Sequence, residues 1–397
     1  MSVFPVAEQH RVAPGIPRLL ASSDAGYAAH LRTYGPLPAP RDLVAELTRS
    51  GLTGRGGAAF PAARKLAATA RHGVVIGNGS EGEPFSAKDE LLLRARPHLV
   101  LDGLLTVATA VEAKAVHLVV GPQSEAAVRS AMAERTDARR VRLTVAQDRF
   151  VGGEASAVVN LLTSGRAVPE DRPVRLTTRG LRGRSTLVQN VETLAHVALI
   201  ARYGAERYRD AGASWDPGTR LFSISGDVAH PGVTEAPGGS TLRSVLRAAS
   251  PGPVSGVLVG GYHGVWVGGA DLDRPLAPTA AACGIPVGAG ILIVVGPQTC
   301  GLRTAAEIAR YLATESAGQC GPCVNGLPDI ATTFERMADG DQDVHLPARM
   351  ERMAGLVTGR GACHHPDGTA RMVRSALRLF ADEAEAHRHG RCTAAGR

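Results

Sequence analysis

Three cysteines stand close together late in the chain: Cys320 and Cys323 in ESAGQCGPC, and Cys363 in GRGACHHPDG. Thiolate is the ligand that soft metals and iron–sulfur clusters need, and a C-x-x-C pair lets two thiolates reach neighbouring metal atoms from one turn. Six cysteines in 397 residues are too few for a disulfide scaffold, and in a cytosolic chain such grouping points to metal before disulfide. A second place with chemical potential is GLTGRGGAAFPAARK, 51–65, where Gly51, Gly54, Gly56 and Gly57 fall within one short stretch. Closely spaced glycines let backbone N–H groups approach a phosphate, and a following helix N-terminus adds a favourable dipole. The spacing fits neither the dinucleotide G-x-G-x-x-G pattern nor a P-loop, so a phosphate cradle and a plain tight turn stand as alternatives. In IGNGSEGEPFSAKDE, 76–90, Asn78, Glu81 and Glu83 follow an expected strand end, where ligands sit in open α/β sheets. Those groups could read the polar edge of a ring or a ribose, or form a solvated acidic loop. FVGGEASAVVN (150–160) and LVQNVETLAHV (187–197) are weaker still, since a turn and a helix cap would account for each.

The elements that must position these residues alternate in type. Residues 41–49 have helical spacing, 61–71 read as a helix, 73–78 as an apolar strand, 98–113 as a buried helix and 115–120 as the next strand. A surface helix over 123–135 and a strand over 141–146 follow. Strands alternating with helices predict an α/β layer with a largely parallel sheet. After about residue 215 the pattern changes to short β-like runs (RLFSISGDV, VSGVLVGG, GVWVGG) around one helical run, TLRSVLRAA, which predicts a small α+β unit. The apolar stretch 284–297 reads as a buried strand with turns. From 303 onward, four amphipathic runs predict a small helical bundle. The resulting division is a Pro-rich leader, 1–40; an α/β domain, 41–215; the α+β unit, 216–300; a helical domain, 301–385; and a frayed tail, 386–397.

Composition narrows the function classes. Apolar residues are 44% and charged residues 20%, which excludes a mainly disordered chain. No run of 18 apolar residues exists and no secretion signal opens the chain, so a cytoplasmic protein without direct membrane insertion is expected. The net charge of +7 invites a nucleic-acid partner, but the basic residues are dispersed rather than clustered, so none is expected. Of the 44 basic residues only Lys65, Lys88 and Lys114 are lysines. Where arginine supplies every generic positive charge, a retained lysine suggests a site that needs a compact ammonium, although three residues could also fall where they do by chance.

Together and in order, these motifs resemble the NADH-binding FMN/iron–sulfur flavoprotein of respiratory complex I and the related diaphorase subunits of soluble hydrogenases and formate dehydrogenases. The resemblance runs from about residue 45 to about 385. It covers the Gly-rich loop, N-x-x-E-x-E-P, G-G-E, N-V-E-T-L, the module opening LFSISGDVAHPGV, and S-x-G-x-C-x-P-C. It implies a Rossmann-like FMN domain, a ubiquitin-like β-grasp (SLBB-type) insert and a helical domain carrying a 4Fe–4S cluster. It further implies that Gly54, Arg55, Gly56, Gly57 and Lys65 line the FMN pocket. Asn78, Glu81, Gly153, Glu154 and Asn190 match further flavin-side positions. Phe60 and Glu83 match positions that meet the nicotinamide nucleotide. Lys65 and Glu83 are the residues expected nearest the hydride transfer. A flavin suits such a protein because it accepts a hydride as two electrons and releases them singly. The partner implied is a ferredoxin-like or thioredoxin-fold electron-transfer subunit.

The chain also departs from the family pattern. Ala68 stands where an aromatic would flank the dinucleotide, Ala155 replaces the second Glu of a G-E-E turn, Arg175 replaces a stacking Phe, and Arg172 stands for a Lys. Losing one stacked base typically costs about 1–3 kcal/mol. Arg172, Arg175 and Arg179 could instead grip the 2′-phosphate of NADPH. At the cluster, Ala317 occupies the first Cys position, leaving Cys320, Cys323 and Cys363, with His364, His365 or Asp367 as sources of a fourth ligand. Cys283, Cys300 and Cys392 read as small buried hydrophobes or a tail thiol. The expected activity is electron transfer from NAD(P)H through FMN and a 4Fe–4S cluster; the alternative is a degenerate paralogue serving as a structural or assembly subunit.

Overall fold

The described residues begin within the leader. In the computed structural model, which describes residues 18–21, 24–38, 42–147, 149–171, 173–279 and 284–394, helix α1 (Tyr27–Tyr34) buries His30 and Tyr34. The His30 ring meets the Asp102 carboxylate at 2.7 Å. Helix α2 (Leu43–Ser50) starts where the Asp42 side chain accepts from the Ala45 N–H, and it stops at Gly51, whose φ of 68° suits a residue without Cβ. After α3 (Ala62–Ala67) come β1 (Val74–Gly79), α4 (Lys88–Ala95), α5 (Pro97–Ala110), β2 (Ala115–Val120), α6 (Glu125–Ala133), β3 (Val141–Val145), α7 (Ala155–Ser164), β4 (Thr186–Asn190) and α8 (Val191–Arg209).

The four strands form one sheet in the order β3-β2-β1-β4, every pair parallel. Its near-continuous Val/Ile/Leu runs are what burial on both faces requires. One face takes Val75 and Leu118 into a core with Leu101, Leu104, Leu194 and Val197 of α5 and α8. The other takes Val74, Ile76, Val119 and Val188 against Val158 and Val159 of α7. The strands and helices expected from the sequence therefore stand within a few residues of their expected bounds.

A two-residue ribbon, β5 (Gly212–Ala213) and β6 (Asp216–Pro217), leads into the second unit. There β7 (Thr219–Gly226), β8 (Gly232–Pro237), α9 (Leu242–Leu246), β9 (Gly256–Val259) and β10 (Val265–Gly268) are followed by a short parallel pair, β11 (Leu276–Ala277) and β12 (Ile285–Pro286), and by β13 (Ile291–Val295). The five-stranded sheet runs β10-β9-β13-β7-β8, with only β13 and β7 parallel. One face packs with α9 through Phe222, Leu242, Leu246 and Leu292. The other joins Leu258, Trp266, Ile291 and Ile293 to the helical core.

The helices that follow are α10 (Gly301–Thr314), α11 (Leu327–Ala338), α12 (Leu346–Val357), α13 (His365–Leu379) and α14 (Ala381–Arg388). The fourth helical run expected from the sequence is thus two helices, divided at Phe380, whose ring lies over Gly301 and against Trp266. In the described part of the tail the Thr393 N–H donates to both Glu383 carboxylate oxygens. Among the described residues, no helix is long and apolar enough to cross a membrane.

Helices α5 and α8 approach each other over a glycine. A Cβ at Gly103 would lie 1.8 Å from the Leu194 carbonyl oxygen, which is backbone and cannot step aside. Gly103→Ala is therefore expected to lower stability by more than the roughly 1–3 kcal/mol of ordinary overpacking, read by urea unfolding. Gly355→Ala, in α12 with nothing nearer than Arg374 Nη2 at 3.6 Å, is expected to gain about 0.5–1 kcal/mol.

Candidate functional site

Strand β1 is flanked by β2 on one side and β4 on the other, so the winding of the sheet reverses between β1 and β4. Crevices at the carboxyl ends of strands beside such a reversal are where open α/β sheets hold ligands. Strand β4 ends there in Asn190, which pairs in register with Asn78, the residue before the last of β1. The Asn78 amide donates to the Gly153 carbonyl at 2.9 Å. Asn190 caps α8 with its side-chain oxygen and donates from Nδ2 to Asp89 at 2.6 Å. The glycine loop comes up against this edge. A Cβ on Gly56 would sit 3.3 Å from Asn190 Cβ, and Gly57 has φ 102°. The Gly54 N–H closes the loop on the Phe60 carbonyl at 2.9 Å. Gly153 lies where a Cβ would come within 3.1 Å of the Ser80 carbonyl oxygen. The structure thus gathers Gly54, Gly56, Gly57, Asn78, Gly153 and Asn190 at one edge, as a loop stripped of side chains facing two amides.

The charged candidates divide. Lys65 is tethered by Nζ to the Val188 carbonyl of β4, and burial lowers its pKa against the opposing pull of Glu154. Glu154 caps α7, accepting from the Ser156 and Ala157 N–H groups. Glu81 opens α4, taking the Asp89 and Glu90 N–H groups at 3.1 and 2.8 Å as well as the Ser86 hydroxyl. Burial, with Asp89 adding to it, pushes Glu81 up to about 7. Glu83 accepts from the Tyr262 N–H, and burial pushes it up to about 8 despite that bond. Phe60 is 45% exposed, with the Arg64 guanidinium 5.7 Å from its ring centre.

Arg55 requires a correction. Its backbone N–H donates to Thr193 Oγ1, but its side chain does not line the pocket. The guanidinium is buried with Tyr208 Oη and the Pro217 and Thr219 carbonyls, because Asp216 and that ring of oxygens offer the pairing a buried cation requires. Arg175 sits exposed in the turn 175–179, without an ion pair among the described residues. Arg172 lies outside the described residues, as does Cys283.

The cysteines meet across the bundle. Cys320 begins a turn whose carbonyl accepts from the Cys323 and Val324 N–H groups, each at 3.0 Å. Cys363 returns from the loop between α12 and α13. Burial, with Cys320 and Cys363 adding their charge, pushes the Cys323 thiol up to about 12. A fourth ligand from His365 is excluded by its geometry: Nε2 donates to the Leu312 carbonyl at 2.8 Å, and Nδ1 faces His263 Nε2 at 3.0 Å. Asp367 takes the Gly359 N–H and faces His364 Nδ1. His364 itself is 98% exposed. Of the three side chains the sequence offers as a fourth ligand, His365 is thus the one with both nitrogens already engaged.

Sequence reasoning missed two groups. Lys88, singled out only by the scarcity of lysine, is buried with Asp89 at 2.7 Å and Glu192 at 3.0 Å. Burial alone would lower its pKa; the two carboxylates outweigh that and raise it. The loop Gly260–Gly261–Tyr262–His263 brings the second unit against Glu83, and a Cβ on Gly261 would lie 2.2 Å from Glu83 Oε1. Phe150 and His263 pack edge to face at 4.7 Å beside it. No local pattern announces that contact, because it joins residues nearly 180 positions apart.

A glycine cradle at the switch point of a parallel sheet, joined through a mixed sheet to a cysteine-bearing bundle, defines a flavo–iron–sulfur architecture as a class. Residues 47–199 match the family described as the Nuo51 FMN-binding domain, and residues 303–387 match the NADH-ubiquinone oxidoreductase-F iron–sulfur binding region. The F-type subunit of the NADH-quinone oxidoreductase of Escherichia coli is 31% identical over 377 residues, covering 87% of this chain and 84% of the relative. Its counterpart in Mycobacterium tuberculosis is 30% identical over 385 residues, covering 88% and 85%. Among solved structures, an NAD+-reducing nickel–iron hydrogenase in its H2-reduced state superposes with a TM-score of 0.83 at 32% identity, over 95% of this chain and 67% of that one. The chain belongs to the family of F-type subunits of NADH-quinone oxidoreductase.

Glu83 and the cysteines generate separate tests. The folded protein binds the Glu83 proton more tightly than the unfolded chain, whose group has a pKa near 4.5. That contribution to stability is full below 4.5 and is lost as pH rises toward 8. Glu83→Gln is expected to flatten the fall in stability of the flavin-free protein over that window, measured by urea unfolding at a series of pH values. For the cluster, anaerobic iron analysis of Cys320→Ser, Cys323→Ser and Cys363→Ser is expected to show loss of the centre in each. Ala317→Cys, by restoring a fourth thiolate, is expected to slow its decay in air to the 3Fe–4S form seen by EPR.

Proposed function

We propose that this chain accepts a hydride from NAD(P)H at an FMN held on the carboxyl edge of β1 and β4, and passes electrons singly through a 4Fe–4S cluster to a ferredoxin-like or thioredoxin-fold partner. The observation that carries this reading is the pairing of Asn78 with Asn190 at the switch point, with Gly56 backed directly against Asn190. FMN, when bound, supplies the conversion of a two-electron donor into one-electron steps. The residues present fit it. Gly56 and Gly57 offer N–H groups with no side chain of their own in the way, those of Gly54 and Arg55 being spent on Phe60 and Thr193, and Asn78 and Asn190 offer amides to the polar edge of a ring. Lys65 brings a partly desolvated ammonium to the same edge. Glu83, protonated near neutral pH, can donate rather than repel beside an electron-rich ring. Phe60 offers an exposed aromatic face to the nucleotide.

The glycine–amide edge and the cluster thiolates are connected through Glu154, whose charge acts both on Lys65 and on Cys363. Cys320, Cys323 and Cys363 would hold three irons. The strand order β8-β7-β13-β9-β10, with a parallel central pair and one helix, supports reading 216–300 as a ubiquitin-like β-grasp (SLBB-type) unit. The division then runs 41–215 for the Rossmann-like FMN domain and 301 onward for the helical domain. Relatives are named as subunits of a quinone oxidoreductase and as an NAD+-reducing hydrogenase, which supports work within a multisubunit assembly. Ala68, Ala155 and the exposed Arg175 favour NADPH at least as strongly as NADH.

Gly56→Glu places a side chain and a negative charge against Asn190, so the folded variant is expected to lose its flavin, read from the visible spectrum alongside far-UV circular dichroism. Full flavin retention in a folded variant contradicts the assignment. Stopped-flow bleaching is expected to proceed with NADPH at least as well as with NADH, and Arg175→Ala is expected to weaken NADPH selectively.

A further inference from the structure

A second group of metal-ligating side chains lies away from Cys320, Cys323 and Cys363. Cys300, Glu383, His387 and Cys392 each offer one ligand atom, and all four atoms lie within 4.8 Å of one another. Glu383 and His387 stand one turn apart on α14, so both project from the same face. Cys300 is the residue before α10, where its sulfur accepts from the Arg303 N–H. Cys392 arrives from the segment after α14. Four donors from three separate segments converge on one point.

The two Cys300 separations are those of a coordination polyhedron, while Glu383 Oε1 also pairs with His387 Nε2 at 2.8 Å. Cys300 Sγ is 3.4 Å from His387 Nε2 and 3.6 Å from Glu383 Oε1, and Cys392 Sγ is 3.1 Å from that same oxygen. A tetrahedron with bonds of about 2.3 Å to sulfur and about 2.0–2.2 Å to nitrogen and oxygen has edges of roughly 3.3–3.8 Å; the Cys392–Glu383 and Glu383–His387 contacts, now hydrogen-bond lengths, would lengthen to that range as an ion replaces the shared protons. The surroundings also orient the ligands. His387 Nδ1 lies 2.7 Å from the Ala338 carbonyl, which only accepts, so Nδ1 carries hydrogen and Nε2 faces the cluster. The Thr393 hydroxyl holds the second Glu383 oxygen and the Thr393 N–H bridges both oxygens, at 3.1 and 3.2 Å, while both sulfurs meet Oε1.

We propose that Cys300, Glu383, His387 and Cys392 form a closed tetrahedral site for a zinc-type divalent cation, separate from the iron–sulfur centre. Two thiolates, one imidazole and one carboxylate suit zinc in softness and number. With four protein ligands there is no open position, so the role is structural. The ion ties α14 and the segment after it to the start of α10, while His387 joins the end of α11. This accounts for order in a polar segment that composition marks for fraying. Binding releases the two thiol protons and changes no oxidation state.

The test uses the full chain purified without air and with its thiols reduced, desalted and analysed for metal, then stripped and titrated with Zn2+ and with Co2+ alone. The expected result is one zinc per chain and, with cobalt, a thiolate charge-transfer band with intense tetrahedral ligand-field bands. Cys392→Ser and His387→Gln are expected to weaken zinc binding by more than about a hundredfold, beyond an outer-sphere change, while iron and flavin contents stay at the wild-type level. Cys320→Ser is expected to leave the zinc in place. The proposal is overturned if the reduced wild-type chain gives no cobalt–thiolate band, or if folded Cys392→Ser and His387→Gln keep wild-type zinc affinity. Loss of iron with zinc retained would count against the cluster alone.

Discussion

The structure depends most on one buried ammonium. Lys88 Nζ sits between Asp89 and Glu192, with all three side chains at most 7% exposed. Taking those charges out of water is costly, and removing one member would leave the others uncompensated. Each carboxylate also does something else. Asp89 takes the Asn190 amide and so fixes the cap of α8 and the carboxyl end of β4. Glu192 accepts from the Leu221 N–H at 3.0 Å and so fixes β7, the first long strand of the second unit. The edge that faces the glycine loop and the docking of the second sheet are set by a single cation.

From that anchor the three parts of the chain converge. The second unit places Tyr262 on Glu83 and His263 on His365, and the helical bundle presents Cys363 within the influence of Glu154. A carboxyl that is buried by a neighbouring unit and receives only one N–H keeps its proton near neutrality. The same packing that closes the site thus decides the charge of the group beside it. Near the three cysteines, Ala317 offers no donor and His365 is already bound on both nitrogens. The bundle is otherwise well supported.

Much of this is legible in the sequence. The strands at 74–79, 115–120 and 141–145 follow directly from runs of branched apolar residues, and the glycine density at 51–57 marks the loop. The shortage of lysine singles out Lys88 without saying what it holds, since its partner Glu192 lies over a hundred positions away. The Arg55 side chain lies away from its expected place because a family position fixes the backbone of a loop, not the direction of a long side chain that finds Asp216 and Tyr208 instead. The break at Phe380 is hidden by an amphipathic period that continues across it. The fold-back after α14 is hidden because Cys392 and Thr393 return to Glu383 and the neighbouring Cys300 comes from the start of α10, which no local window contains.

The central claim is that a compact ammonium at position 88 organises the flavin edge, and Lys88→Arg tests it most directly because arginine fills all but three of the chain's 44 basic positions. A planar fork cannot occupy the space between Asp89 and Glu192 as a point charge does. The measurement is the dissociation constant of FMN from the flavin-free protein, by fluorescence titration, in wild type and in Lys88→Arg at a temperature where both are folded. The account predicts at least about a tenfold weakening, equivalent to roughly 1.4 kcal/mol. An unchanged FMN affinity in folded Lys88→Arg would contradict it.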